Sequence, residues 1–416
     1  MKDEIISFPR TGMRLWQIAK KIRPQKKSIR EKGGSFLGYP HTTPLPIGIR
    51  AYKNFIRYNS NHVGTLTRLE CGMTYTRQME VEVIQMLGEL YGDNNVDGYM
   101  TSGGTEGNIY GCWLGYRYLS DMNESKVALI TSTIVHQSID KAVSIQRIEE
   151  YIKVPLDSHY QIDIEKFGEA VCHCIQKGIS NILFVATSGY TVTGTQDNLE
   201  RIEQKIEDLK RSHAFQIYIH IDAAIGGLVF PFLDNKTKYF TNQYVQSVTV
   251  DPHKMGYVPL SAGVFLCRKG LQKHVEIPIN YVEGKADDTL TGSRNATSAV
   301  ATWAVIHKLG YEVFRKNLEE LLILKEETIK LFKKSELIYV FEDSQINMIC
   351  FTLKNGKRKL PREVEVKYGL DLFPLPYKGN SIYCYKIYFM PHTTMKTIKK
   401  LYKDINKYTF EWLRTG

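Results

Sequence analysis

Ile217-Tyr218-Ile219-His220-Ile221-Asp222-Ala223-Ala224-Ile225-Gly226-Gly227 opens as a short apolar run rich in β-branched residues and ends on a carboxylate. The run 217–221 reads as a buried strand. Similar runs occur at 127–131, 181–186 and 245–250. Helical patterns at 105–119, 136–146, 162–177 and 196–211 separate most of them. Strands alternating with helices predict a mainly parallel sheet covered on both faces, an α/β architecture. Residues 263–267 add a further strand, expected to run antiparallel. Ligands of open α/β sheets sit at the carboxyl ends of the strands, which is where Asp222 stands. A carboxylate there is costly unless a cation or hydrogen-bond donor meets it. A protonated ring nitrogen is one such partner; capping of the next turn is the alternative.

Two other stretches carry chemistry. Thr249-Val250-Asp251-Pro252-His253-Lys254-Met255-Gly256 places a lysine just past a strand. Partly desolvated, Lys254 can form a Schiff base; a solvated surface lysine is the ordinary alternative. Thr101-Ser102-Gly103-Gly104-Thr105-Glu106-Gly107-Asn108 leads into a helix. Its glycines let a ligand approach the backbone, and the unpaired N–H groups of the helix suit a phosphate. A turn that merely caps the helix fits the same residues. Taken together and in this order, the three stretches match what pyridoxal 5'-phosphate (PLP) requires: donors for its phosphate, a carboxylate for its ring nitrogen and an amine for its aldehyde.

On these blocks the sequence resembles the group II PLP-dependent amino-acid decarboxylases, over residues from about Phe36 to the C-terminal helix. Phe36-Leu37-Gly38-Tyr39-Pro40 resembles a motif of histidine and serine decarboxylases. Asp251-Pro252-His253-Lys254-Met255-Gly256 is closer to the archaeal tyrosine/aspartate decarboxylases. Thr291-Gly292-Ser293-Arg294-Asn295 and Met390-Pro391-His392-Thr393-Thr394 resemble motifs of both groups. The resemblance implies PLP fold type I, aspartate-aminotransferase-like, with a mainly parallel seven-stranded sheet in a large domain and a small C-terminal α+β domain. It implies that Lys254 carries the cofactor, with His253 beside it near the phosphate. Asp222 then pairs with the ring nitrogen, Ala224 packs against the ring and His136 stacks on it. Gly103, Gly104 and Thr105 bind phosphate. The reaction implied is α-decarboxylation of an L-amino acid, histidine or an aromatic one first, with aspartate and serine left open by the mixed resemblance, in a homodimer with its active site at the interface.

One departure stands out. Where the family has Gly-Thr-Thr, this chain has Gly189-Tyr190-Thr191. The resemblance implies that Thr191 keeps a polar contact to the cofactor, whereas Tyr190 puts local hydrogen bonding and substrate choice in question. The family supplies a proton donor from a loop in which Tyr281 is the candidate, with a packed tyrosine as the alternative. Ser293 and Arg294 are candidates for a phosphate or carboxylate, which suits the guanidinium fork; a structural ion pair for Arg294 is the alternative. Tyr39, His41, His62 and Arg68 are candidates for side-chain selection. Other PLP chemistry on the same scaffold stays open: a carbon–carbon lyase of the sphingosine-phosphate type, a decarboxylating deaminase or an aminotransferase. So does a basic, non-catalytic binding protein.

The chain of 416 residues suits about two domains. The reading is an arm over 1–50, a large cofactor-binding domain over 51–295 and a small domain over 296–416. Helices are expected at 296–309 and 313–332, then short strands near 346–353 and 383–389 and an amphipathic helix at 395–408. The net charge is +11, concentrated toward both ends. No nucleic-acid module accompanies it, so solvated faces attracting anionic ligands are the simpler reading. No apolar run approaches the roughly 18 residues of a membrane span. Seven cysteines without a CxxC pair argue against a disulfide framework and fit a cytoplasmic protein. Cys172 and Cys174, two apart on a helix, face different ways, and no metal is expected there.

Overall fold

A computed structural model describes residues 13–32, 36–40, 43–64, 76–123, 125–233, 237–280, 286–354, 359–377 and 380–415. Its centre is a seven-stranded sheet: β1 (Val96–Thr101), β2 (Val127–Ser132), β3 (Glu150–Val154), β4 (Asn181–Thr187), β5 (Gln216–Asp222), β6 (Val245–Val250) and β7 (Gly263–Arg268). The spatial order is β1-β7-β6-β5-β4-β2-β3. Strands β2 to β6 pair in parallel, and β7 runs antiparallel to both β6 and β1. The central strands β4 and β5 are buried on both faces, which is why they read as near-continuous apolar runs.

Two strands of this sheet, β1 and β3, are not evident in the sequence. In β1, Asp97 and Gly98 interrupt the apolar pattern. Asp97 is satisfied because its carboxylate accepts the Gly270 N–H at 2.6 Å. Gly98 lies against the backbone of β7, where a Cβ would come within 2.2 Å of the Phe265 carbonyl oxygen. β3 is an edge strand, and its Glu150 and Lys153 disguise it.

The helix Gly104–Met122 lies on the sheet at unusually short range. A Cβ at Gly107 would meet the Thr249 side chain at 2.6 Å, and one at Gly111 would meet His220 Cε1 at 2.3 Å. These bare positions let the helix settle directly on β5 and β6.

Beyond Arg294, Ala296–Phe332 is a run of helix broken at Gly310 (φ 62°, ψ 174°), which separates the two helices expected there. A four-stranded antiparallel sheet follows: β8 (Ile338–Phe341), β9 (Met348–Leu353), β10 (Phe373–Tyr377) and β11 (Asn380–Tyr388), in the order β8-β9-β11-β10. Ile349, Phe351, Tyr385 and Ile387 of this sheet share a core with Ile398, Leu401 and Ile405 of the final helix. At the other end, the arm contains helices Leu15–Lys32 and Pro46–Ile56. Pro46 begins the second of them, where a missing N–H costs nothing. Gly48 in that helix abuts Val305 of the long helical run. No helix among the described residues is long and apolar enough to cross a membrane.

Candidate active site

The carboxyl ends of β1, β2, β4, β5 and β6 converge on a cavity of about 360 Å³. Gly103, Gly104 and Thr105 line it from the turn after β1, and His136 from the turn after β2. Gly189, Tyr190 and Thr191 follow β4, Asp222 and Ala224 end β5, and Asp251, His253 and Lys254 follow β6. Sequence positions far apart are thus gathered by the parallel strands alone.

Lys254 sits in the single turn Pro252–Met255, with Asp251 preceding it. Its Nζ lies 3.1 Å from Asp251 Oδ2. Asp251 is 2% exposed, and its Oδ1 has no hydrogen-bond partner among the described residues. His253 Nδ1 donates to the Ala262 carbonyl oxygen at 2.6 Å, which turns its other nitrogen toward Asp251.

Asp222 is buried, and its carboxylate accepts from Asn108 Nδ2 at 2.8 Å and from the Ala224 N–H at 3.2 Å. His136 caps the helix Gln137–Gln146, its Nδ1 accepting the Ser138 N–H. Burial holds this imidazole below its ordinary pKa, and the helix N-terminus opposes its protonation.

Gly104 shows what the cavity is shaped for. A Cβ there would approach Asp251 Oδ2 to 2.8 Å and Ala224 Cβ to 3.1 Å. The cradle exists only because that side chain is missing, and it opens onto the first turn of a long helix. Anion-binding N–H groups, a buried carboxylate, an amine and an orphaned buried oxygen therefore share one cavity. That donor set fits PLP: Gly103, Gly104 and Thr105 would hold its phosphate, Asp222 its ring nitrogen and Lys254 its aldehyde carbon.

Not every candidate residue comes here. Tyr190 contributes a ring to the wall, but its hydroxyl turns away and donates to both oxygens of Asp197 at 3.0 Å. Arg294 is buried elsewhere: its guanidinium pairs with Glu80, donates to the Met100 carbonyl oxygen at 3.1 Å and stacks over Tyr99 at 4.8 Å. His62 joins the same cluster, with Nδ1 2.7 Å from Glu80 Oε2. The Ser293 hydroxyl accepts from Asn61 Nδ2 at 3.0 Å. The expectation that Arg294 and His62 meet substrate is corrected by this geometry, since a buried carboxylate already claims both. Tyr39 lines an adjoining cavity and donates to Asp371. His41, Arg68 and Tyr281 lie outside the described residues. Asp251, Asn108 and Ser138 were missed. The signal for Asn108 was a polar residue one turn into a glycine-rich helix; a polar residue buried there must be paired.

The fold is that of the fold-type-I PLP enzymes. The chain matches the glutamate decarboxylase of Lactobacillus brevis with a TM-score of 0.83 at 18% identity, over 99% of this chain and 96% of that one. Residues 73–354 match the pyridoxal-dependent decarboxylase conserved domain, and the chain belongs to that family. It is 30% identical to an L-aspartate/L-glutamate decarboxylase of Pyrococcus horikoshii, over 97% of this chain and 99% of that one. It is 28% identical to a probable L-tyrosine/L-aspartate decarboxylase of Methanosphaera stadtmanae, over 91% and 92%. The chain is a PLP-dependent amino-acid decarboxylase.

Proposed function

We propose that the chain removes the α-carboxyl group of an L-amino acid with an aromatic side chain, histidine included, and releases the amine and carbon dioxide. One observation carries the choice of side chain. A second cavity, of about 550 Å³, shares His253, Lys254 and Leu260 with the first and is otherwise walled by Phe36, Tyr39, Pro40, Pro44 and Val258. An amino acid whose α-amine lies at Lys254 extends its side chain along this wall. A flat apolar group gains from contact with that apolar wall, which a second carboxylate does not.

PLP, when bound, supplies the sink for the electron pair left as carbon dioxide departs. Asp222 provides a fixed negative charge opposite the ring nitrogen, which counts most as electrons shift toward it. Lys254 holds the cofactor and releases the product. His136 covers one side of the cavity as a neutral ring. Tyr281 is our candidate for returning a proton to the α-carbon.

Amine and carbon dioxide release across a panel of amino acids tests the reading. Tyrosine, tryptophan, phenylalanine or histidine should exceed aspartate and glutamate in kcat/KM by at least about tenfold. The reverse order would overturn the substrate class, and no release from any amino acid would overturn the reaction. Lys254→Ala should abolish the visible absorption band and all turnover.

We also propose a cytoplasmic homodimer. Leu15 and Trp16, 86% and 60% exposed, stand with Ile18 on one helix, an apolar surface that a second copy of the chain would cover. The unbridged thiols of Cys172, Cys174, Cys267, Cys350 and Cys384 fit a reducing compartment. Sedimentation at micromolar concentration should give twice the chain mass; a Leu15→Lys, Trp16→Lys pair should shift the protein toward monomer.

A further inference from the structure

Asp222 and His136 reach the cavity from different strands, yet both are tied to one side chain. Asn108, 1% exposed, donates its amide hydrogens to Asp222 Oδ2 and to Ser138 Oγ, each at 2.8 Å. Its Oδ1 lies 3.1 Å from His220 Nε2. His220 is fully buried in β5, and its Nδ1 lies 2.8 Å from Ser247 Oγ. Ser247 Oγ in turn accepts from the Tyr218 hydroxyl at 2.9 Å.

The neighbours assign every proton in this chain of contacts. An ionised carboxylate only accepts, so the Asn108 atom facing Asp222 is its nitrogen. The atom facing His220 is then the oxygen, and His220 carries a proton on Nε2. Burial pushes the pKa of His220 down to about 4, so the ring is neutral at ordinary pH and its Nδ1 is bare. That bare nitrogen accepts a hydrogen bond from the Ser247 hydroxyl, and Ser247 Oγ accepts one from the Tyr218 hydroxyl. On the other arm, Ser138 Oγ accepts from Asn108 and turns its own proton to His136 Nδ1, 2.9 Å away. The same Nδ1 accepts the Ser138 backbone N–H at 3.2 Å and so holds no proton of its own.

We propose that Asn108 is a positioning residue that couples Asp222 to His136, fixing the first as an acceptor and the second with its proton on Nε2, while His220, Ser247 and Tyr218 keep the Asn108 amide from turning over. A flipped amide would set oxygen against carboxylate on one side and N–H against N–H on the other. The proposal rests on the reading of Asp222 and His136 as groups that face the cofactor.

The first test needs no variant. In holoenzyme labelled with ¹⁵N-histidine, long-range ¹H–¹⁵N spectra should place the proton of both His136 and His220 on Nε2. Either ring protonated on Nδ1 instead overturns the proposal. The second test uses cofactor affinity and steady-state kinetics with the preferred amino acid. Asn108→Leu and His220→Leu should each weaken PLP binding and lower kcat by roughly ten- to a hundredfold, the cost of a lost charge-assisted hydrogen bond. KM should stay within about twofold, because the substrate side chain is held elsewhere. His220→Gln, which can still donate to Asn108 and accept from Ser247, should stay within about threefold of the wild type in both PLP affinity and kcat. Should Asn108→Leu not fold, Asn108→Ser, too short to bridge, should show the same loss. Wild-type PLP affinity and kcat in folded Asn108→Leu or Asn108→Ser, or equal losses in His220→Gln and His220→Leu, would sink the idea. Asp222→Asn separates the two levels: if it keeps full PLP affinity and turnover, the reading of Asp222 fails, whatever the histidine spectra show.

Discussion

Lys254 Nζ lies 3.1 Å from Asp251 Oδ2, so the amine proposed to bind the cofactor has a buried carboxylate one turn away. Asp251 also borders Gly104, beside the anion cradle. The carboxylate thus holds the Lys254 side chain beside the proposed phosphate cradle. Asp251→Asn should keep the fold but lower kcat roughly ten- to a hundredfold, as expected for a charged hydrogen bond weakened to a neutral one. Stopped-flow mixing of apoprotein with PLP should show slower growth of the visible band. An unchanged rate would remove Asp251 from the site.

Tyr190 is a wall, not a reader of substrate polarity. Its hydroxyl is spent on Asp197, which also accepts the Ile162 and Thr187 N–H groups at 2.8 Å. Tyr190→Phe should therefore cost about 1–2 kcal/mol of stability in urea unfolding. The ranking of amino acids in kcat/KM should stay as it is in the wild type. A reordered ranking would restore the hydroxyl to a selective role.

The buried cluster around Glu80 ties distant segments together. Arg77 and His62 pair with it at 3.1 and 2.7 Å, Arg294 joins them, and the Met100 N–H donates to it at 2.8 Å. Burial would raise the Glu80 carboxyl, but the Arg294 guanidinium and the His62 contact hold it well below its usual range. Glu80→Ala strands two guanidinium groups in a dry interior. It should cost about 3–5 kcal/mol, read as a lower urea midpoint at unchanged slope. A loss under about 1 kcal/mol would mean that water reaches the cluster.

Two buried groups set opposite pH dependences. His220 falls to about 4 from an ordinary 6.5, so the unfolded chain binds its proton more readily. Its contribution is complete above pH 6.5 and is lost as pH falls toward 4, at most about 3 kcal/mol. Burial pushes Asp197 up to about 6 from 3.8. Its contribution is complete below 3.8 and is lost as pH rises through 6. The two offset each other between pH 4 and 6. His220→Gln removes the first alone, so relative to the wild type the variant should gain stability on acidification from pH 7 to 4.5. Urea midpoints at four pH values across that range decide it, and parallel curves for the two proteins would refute the assignment.

The parts legible in the sequence are those whose chemistry restricts the residue type. Only a primary amine serves at Lys254, and Gly104 leaves room for a phosphate, so these positions announced themselves through order and spacing. Asp222 stood out because a strand rarely ends on a buried carboxylate without a reason. Arg294 misled because its motif says nothing of Glu80, 214 positions away in the chain. His220 looked like part of an apolar run, and only the fold shows that Asn108 and Ser247 meet its two nitrogens. β1 and β3 hid for a related reason: their polar residues are answered by tertiary partners or by a sheet edge, neither of which local pattern records.

Gly111 brings the helix Gly104–Met122 down onto His220, with no room for even one methyl group between them. The floor of the cavity is accordingly a rigid plate whose parts cannot be adjusted by degrees. The mouth is made differently, from side chains such as Phe36, Tyr39, Pro40 and Pro44 ahead of the first sheet strand. Preference for one amino acid over another and competence to break a carbon–carbon bond are therefore separable in sequence space. On the proposed reading, substitutions around the mouth should reorder the preferred amino acids, whereas Gly111→Ala should disturb the proposed relay and lower turnover of every substrate alike.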